Sequence, residues 1–396
     1  MADNNENKVL NVPHLRFPEF SGEWKKCKLG DLCNVLMCKR ILVSQTNTED
    51  GVPFYKIGTI GSTPDAYISK ELFDDYKVKY NYPRKGEVMI TCAGTVGKCV
   101  VYDGEDAYFQ DSNIVWIDNP TQYISNGFLF HLLSKVDWRK LNSTTIIRIY
   151  NDDLRNLKMS YPRKEEQQKI SHLLSLLDER IATQNKIIEK LQSLIKGLVD
   201  ELMTVLLKGK LYPFSSFYIK AGEGGTPTTS VVEYYTEGTI PFIKIEDLSC
   251  KYLTNNKDFI TELGMQKSSA WLIPSKSVIY SNGATIGAIS INEYPVCTKQ
   301  GILGIVPNTN INVEYLYLLM SSSYFSKEIS RIITEGTMKT AYLKDINHIK
   351  CPLPSMAQQK NITNLTSSIE EKLSIEQELL RFLNLQKQYL LHMIFI

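Results

Sequence analysis

From Ile170 to Val205 the apolar positions recur with an unbroken 4,3,4,3 spacing: Ile170, Leu174, Leu177, Ile181, Gln184, Ile188, Leu191, Ile195, Leu198, Leu202 and Val205, with Gln184 the single polar intruder. This is the a/d seam of a coiled coil, a stripe narrow enough to want one helical partner. The same rhythm returns near the end of the chain through Ile362, Thr366, Ile369, Leu373, Glu376, Leu380, Leu383, Lys387, Leu390 and Ile394, with more polar interruptions. The first seam predicts a rod of roughly 54 Å, longer than a core helix of a small domain needs. Gly197 is a tolerated weak point in that rod, and Gly209 marks its end.

Outside the two rods the pattern changes to short runs of alternating or continuous apolar residues bounded by Gly, Pro and Asp. GEVMIT, CVVYD, NIVWID, SVIYS and GILGIVP read as strands, whereas residues 126–141 and 312–330 have helical spacing. Two α+β units follow. CAGTVG (92–97) and NGATIG (282–287) each sit just after a strand, and their glycines point to a tight turn or a close backbone approach.

The alternation of unit, rod, unit, rod is a tandem duplication. An offset of 192 brings Pro162 onto Pro354, Gln167 onto Gln359, Ile170 onto Ile362, Asp153 onto Asp345 and Leu202 onto Ile394. The offset slips to 190 for residues 86–100 against 276–290, and to 188 for PFYKIGTI (53–60) against PFIKIEDL (241–248), as loop indels require. Two seams from one duplicated chain are natural partners. Packed antiparallel, they would relate the two units by an internal pseudo-twofold axis.

Composition adds mainly exclusions. With 43% hydrophobic and 22% charged residues in 396, the chain is globular, and it has neither a signal-peptide pattern nor an apolar run long enough for a membrane span, so a cytoplasmic protein is expected. Its eight cysteines form no C-x-x-C pair and read as buried thiols. There is no H-E-x-x-H, G-x-S-x-G or G-x-G-x-x-G motif; Lys98 after Gly97 fails the phosphate-loop spacing; and the five histidines are dispersed. Asp152 and Asp153 read as turn caps. Binding is therefore expected and catalysis is not. Acidic and basic residues balance, 20 of each in residues 1–160 and 12 of each in 211–355, so a nucleic-acid partner would need one-sided clustering of charge. KVKYNYPRK (77–85) has that look, although in isolation it reads as a solvated strand edge or turn.

The stretches 12–32, 225–248 and 281–287, together with the paired helices opening EEQQKI and AQQKNI, resemble the specificity subunit (HsdS) of type I restriction-modification systems in order over essentially the whole chain. The resemblance implies target recognition domains at 1–160 and 211–353, and coiled-coil helices at 161–210 and 354–396. It implies that each domain reads one half of a split double-stranded DNA site. The helices would hold the readers apart in an antiparallel coiled coil and dock two DNA adenine methyltransferase subunits, and separate restriction and motor subunits would complete the complex. S-adenosylmethionine, ATP and Mg²⁺ would belong to those partners, with none bound by this chain and no membrane involved. The N/D-P-P-Y/F motif of the methyltransferases themselves is absent. A coiled-coil adaptor presenting two domains to non-DNA partners is the competing expectation.

Under that resemblance, phosphate-positioning cations and base-reading polar side chains belong on loops. The candidates in the first unit are Lys77, Lys79, Tyr80, Tyr82, Arg84 and Lys85, then Arg139, Lys140, Thr144, Thr145 and Arg148. In the second they are Gly225, Thr226, Thr228, Lys244, Asn282, Thr337, Lys339 and Tyr342. The first unit lacks the G-G-T-P of the second, which implies different half-sites and a non-palindromic target.

Overall fold

A computed structural model describes residues 10–140, 148–283, 285–333 and 339–396. The chain divides into two compact units, one formed by residues up to Asn185 with Glu378–Ile396, the other by Lys186–Gln377. Unit 1 runs β1 (Lys25–Lys28), β2 (Asn34–Leu36), β3 (Val52–Tyr55), β4 (Tyr67–Ile68), α1 (Lys70–Lys79), β5 (Val88–Thr91), β6 (Cys99–Val101), β7 (Tyr108–Phe109), β8 (Ile114–Asp118), α2 (Asn126–Lys135), α3 (Asn151–Arg155), β9 (Lys158–Tyr161) and the long α4 (Lys164–Leu206). Unit 2 repeats the series as β10 (Leu211–Pro213), β11 (Tyr218–Glu223), β12 (Ile240–Ile243), β13 (Tyr252–Leu253), β14 (Asp258–Ile260), α5 (Glu262–Gln266), β15 (Val278–Ser281), β16 (Ile289–Asn292), β17 (Cys297–Thr298), β18 (Ile302–Pro307), α6 (Val313–Ser321), α7 (Ser323–Ile332), α8 (Leu343–Ile346), β19 (Lys350–Pro352) and α9 (Met356–Ile394).

The sheets carry the duplication into topology. Unit 1 has sheets ordered β2-β8-β5-β6, β4-β3-β7 and β1-β9; unit 2 has β11-β18-β15-β16-β13, β14-β12-β17 and β10-β19. Among the described residues, strand β13 and helix α7 have no counterpart in unit 1. All four residues of β5 and of β15 are buried, which is why both read as continuous apolar runs: each is an inner strand of its sheet. The helical run expected over 312–330 is broken. Ser322 adopts an extended conformation, ends α6, and caps α7 by accepting from the Phe325 amide at 3.2 Å. The run at 126–141 likewise stops at Lys135, and Trp138 turns inward instead.

The long helices meet inside each unit with opposite chain directions. In unit 1, Ile170 and Leu174 near the start of α4 share a core with Leu391 and Ile394 near the end of α9, and Asp178 pairs with Lys387 at 2.5 Å. In unit 2, Val199 and Met203 near the end of α4 share a core with Ile362 near the start of α9. The pairing is antiparallel. Asp178 accounts for the polar seam position Lys387, and Lys372 pairs with Glu376 at 2.5 Å. The seam itself drifts. Val205 is 62% exposed, while Val199 and Met203, one position off the expected stripe, are buried. A 3.6-residue helix falls behind a strict 3.5 repeat by about 20° per heptad, enough to bring the neighbouring position inward.

The paired Gln167 and Gln359 explain the QQ signature of both helices. In unit 1 the Gln167 Oε1 accepts from the Ser125 amide at 2.7 Å, while its Nε2 donates to the Tyr123 and Pro162 carbonyls at 2.9 and 3.0 Å. In unit 2 Gln359 does the same with the Asn312 amide at 2.7 Å and the Asn310 and Pro354 carbonyls at 3.0 and 2.9 Å. Both carboxamides are fully buried and tie the start of α2 or α6 to the start of the long helix. Gln359→Ala strands three backbone groups and is expected to destabilise unit 2 by about 2–4 kcal/mol. Urea denaturation of the purified complex would show it, and a loss below about 0.5 kcal/mol would mean that water replaces the carboxamide.

Unit 1 adds a clasp at its amino-terminal side. Arg16 grips the buried Glu166 through Nε and Nη2 at 2.8 and 2.7 Å, the Trp24 indole donates to the same carboxylate at 3.2 Å, and the Leu15 amide donates to the Met393 carbonyl at 2.9 Å. No described helix is long and apolar enough to cross a membrane.

Candidate nucleic-acid interface

Three loops converge where β5 ends in unit 1, and the same three converge where β15 ends in unit 2. The Cys92 amide donates to the Asn113 carbonyl at 2.7 Å, and the Ile149 amide to the Cys92 carbonyl at 2.9 Å. In unit 2 the Asn282 amide donates to the Gly301 carbonyl at 3.0 Å, and the Ala341 amide to the Asn282 carbonyl at 2.9 Å. Both junctions use main-chain donors and acceptors, so the same bonds form in the two units with different side chains at Cys92 and Asn282. Glycines are needed where the loops crowd. Gly97 has a φ of +84° and lies against the Trp138 ring, and a Cβ on Gly224 or Gly225 would fall 2.1 or 2.2 Å from Thr298 or Ser269.

The candidates of the second unit are gathered at this junction. Asn282 is its centre, buried to 1% exposure, with Nδ2 donating to the Ala341 carbonyl at 3.1 Å and Oδ1 without a partner among the described residues. Lys339 and Tyr342 flank Ala341; Lys339 is exposed and Tyr342 is 46% exposed with Lys344 over its ring. Gly225 and Thr226 close the same cluster, the Thr226 hydroxyl accepting from the Gln300 amide at 3.4 Å, and Thr228 is exposed beyond them. Lys244 follows the end of β12 and pairs with Asp258 at 2.9 Å, which holds its ammonium pKa above the usual value. Thr337 lies outside the described residues.

The first unit's candidates are split. Lys77 and Lys79 occupy the last turn of α1, and Tyr80 to Arg84 follow without regular structure, so this stretch is not a strand edge. Ser69 caps the helix by accepting from the Leu72 amide, and Phe73 anchors it in the core. Lys77 reaches Asp106 at 2.9 Å, Lys79 reaches Asp75 at 2.6 Å, and Arg84 holds Glu87 at 3.0 Å together with Asp118. The Tyr82 hydroxyl donates to the Ala107 carbonyl at 2.6 Å, and burial raises its pKa, whereas Tyr80 and Lys85 are exposed. This group stands at the start of β5. Arg148 stands past its end, donating to the Ser112 carbonyl at 3.2 Å with its guanidinium 5.9 Å from the Tyr150 ring. Arg139 is exposed and Lys140 is 3.4 Å from Asp137; Thr144 and Thr145 lie outside the described residues. Surface pairs of this kind cost little to exchange for phosphate oxygens.

A family model for the type I restriction modification DNA specificity domain matches residues 21–193 and, a second time, residues 217–384. The chain belongs to the type I restriction-modification specificity subunits. A Haemophilus influenzae protein provisionally named as such a subunit is 46% identical over 184 residues, a stretch spanning 46% of this chain and 45% of that one. The MjaVIII specificity subunit of Methanocaldococcus jannaschii is 23% identical over 94% of this chain and 91% of its own length. The crystal structure of the type I S subunit from M. genitalium has the same fold, with a TM-score of 0.56 and 18% identity over 97% of this chain and 99% of that one.

In this specificity subunit the three-loop junction repeats its main-chain bonds in both units while its side chains differ. The sequence reading missed three cations beside it in unit 1: Arg40 paired with Asp111 at 2.8 Å, Lys56 paired with Asp65 at 3.0 Å, and Lys98 donating to the Ile60 carbonyl at 2.6 Å. In unit 2 it missed the turn from Lys299 to Gly301. The repeat register held the signal, since Lys56 and Lys244 align at the offset of 188 and both pair with a following aspartate.

The thiols near the junctions are chemically quiet. Burial pushes the Cys92 and Cys297 pKa values up to about 11 and that of Cys99 to about 12. Burial likewise pushes the His131 imidazole, 3.9 Å from Asp178 in the helix core of unit 1, down to about 4, so it stays neutral. Among the described residues no group of three or more His, Cys, Asp or Glu could hold a metal ion.

Proposed function

We propose that this specificity subunit directs a type I complex to a bipartite, non-palindromic DNA target. Each unit reads one half, and the antiparallel helices set the gap and dock two DNA adenine methyltransferase subunits. The chain is the non-catalytic recognition component; S-adenosylmethionine, ATP and Mg²⁺ act on the methyltransferase and the restriction or motor subunits, in the cytoplasm.

The observation that carries this reading is the repeated main-chain junction furnished with different side chains. Asn282 stands where Cys92 does, and Thr340 where Arg148 does. One scaffold presenting two polar surfaces is what two readers of unlike sequences require, because base edges are told apart by side-chain donors and acceptors. Co-expression with the methyltransferase subunit, purification of the complex and methylome sequencing of the host test it. Methyladenine in a split motif with unlike halves is expected. A palindromic motif would overturn the two-reader assignment, and a chain that neither co-purifies with the methyltransferase nor binds DNA would be an adaptor of another kind.

A further inference from the structure

We propose that the turn formed by Lys299, Gln300 and Gly301 is the base-reading element of unit 2, with Lys299 matched to a guanine and Gln300 to an adenine of its half-site. The proposal rests on reading the units as DNA-recognition domains. Its basis is how this turn is held and what it leaves unused.

Three successive amides of the turn are tied to three different segments. The Lys299 amide donates to the Ile243 carbonyl at the end of β12 at 3.0 Å, and the Gln300 amide to the Thr226 hydroxyl at 3.4 Å. The Gly301 amide donates to the Glu223 carboxylate at the end of β11 at 2.7 Å. The Gly301 carbonyl in turn accepts from Asn282, and its φ of +85° suits glycine. The backbone is therefore fixed on every side. Lys299 and Gln300 are nevertheless exposed, and among the described residues neither side chain makes a hydrogen bond or ion pair. A rigid turn that presents two long polar side chains with no internal partner has the orientation of a reader already settled before binding.

Unit 1 shows the contrast. Its counterpart between β7 and β8 is one residue longer, Gln110 to Asn113, and its polar groups are taken up by neighbouring segments. Gln110 Oε1 accepts from the Ile57 amide at 3.4 Å, Asp111 holds Arg40 at 2.8 Å, and the Ser112 carbonyl holds Arg148 at 3.2 Å. An acidic, engaged turn thus stands where unit 2 carries a cationic, open one. Lysine pairs with guanine O6 and N7, and glutamine pairs bidentately with adenine N6 and N7, so the pair is suited to adjacent purines in the major groove.

The test uses the complete methyltransferase complex on a library of duplexes in which each base pair of the target is varied, read by sequencing the methylated products. The wild-type complex comes first: if it shows no bipartite target, the functional reading fails and this proposal with it. Given a target, Lys299→Ala and Gln300→Ala should each reduce discrimination about 5- to 150-fold at one base pair of the half-site assigned to unit 2, leaving the other half unchanged. Gln300→Glu should exchange the adenine preference for cytosine, since a carboxylate accepts from the cytosine N4 amine. A gained preference cannot arise from misfolding. Uniform weakening at all sequences, as for a phosphate contact, or base preferences that survive all three substitutions, would overturn the assignment.

Discussion

Replacing residues 212–352 with the corresponding segment of a specificity subunit of different target is expected to abolish methylation of one half-site, install the donor's half-site, and leave the other half and the gap unchanged. The segment is a module with a single neck: Tyr212 in β10 is paired with Cys351 in β19, and Leu211 with Pro352, so both cut points lie side by side in one antiparallel ladder. Phe214, Phe217, Tyr315 and Phe325 travel together in the exchanged core, while Val199, Met203 and Ile362 of the helices remain as the surface the donor must cover. Specific binding exceeds non-specific binding by about 10³- to 10⁷-fold, so the original half-site should drop to background in a methylome. Co-purification of the chimera with the methyltransferase establishes that it is assembled. An assembled chimera that altered both halves at once would defeat the idea of independent readers.

The sequence made the long helices and the duplication legible because both depend on regular spacing. A seam of 4,3,4,3 needs no knowledge of what it packs against, and an offset that pairs Gln167 with Gln359 persists because both carboxamides bridge the same three backbone groups. The strands around Val88 and Val278 were legible for a similar reason, since an inner strand must be apolar on both faces. What failed was local. Ser322 looks like one more polar residue in a helical run until its hydroxyl is seen to cap the next helix, and Val205 fits the seam by count but turns outward as the helix drifts.

The candidate site was half legible for a different reason. Clusters of Lys, Arg and Tyr drew attention to residues 77–85, yet Asp106 and Asp118 reach Lys77 and Arg84 from other parts of the sequence, and the neighbouring Asp75 and Glu87 take up Lys79 and Arg84 locally. The glycines of 224–225 were informative because close approach leaves a trace in residue type. Lys299 and Gln300 left none: a turn becomes a presenting element only through the three amide contacts that hold it, and these come from residues 223, 226 and 243.

Inserting four residues after Asn185 and four after Gln377 is expected to lengthen the gap of the methylated target by about two base pairs without changing either half. The two positions are the unit boundaries on α4 and α9, and they lie 192 residues apart, the offset of the internal repeat, so the insertions treat both helices alike. Four residues of helix add about 6 Å, and at 3.4 Å per base pair this is nearly two steps. An insertion of four in a heptad is a stutter that locally unwinds a coiled coil without breaking the stripe, so antiparallel pairing should survive. Seven residues at each position keep the heptad whole, add about 10 Å, and should lengthen the gap by about three base pairs. The gap should thus rise in step with helix length, while the turn at Lys299 and the loops around Cys92 and Asn282 are untouched. Methylome sequencing of strains carrying each insertion decides it. An active complex whose gap stayed constant across the series would show that something other than the helices sets the spacing.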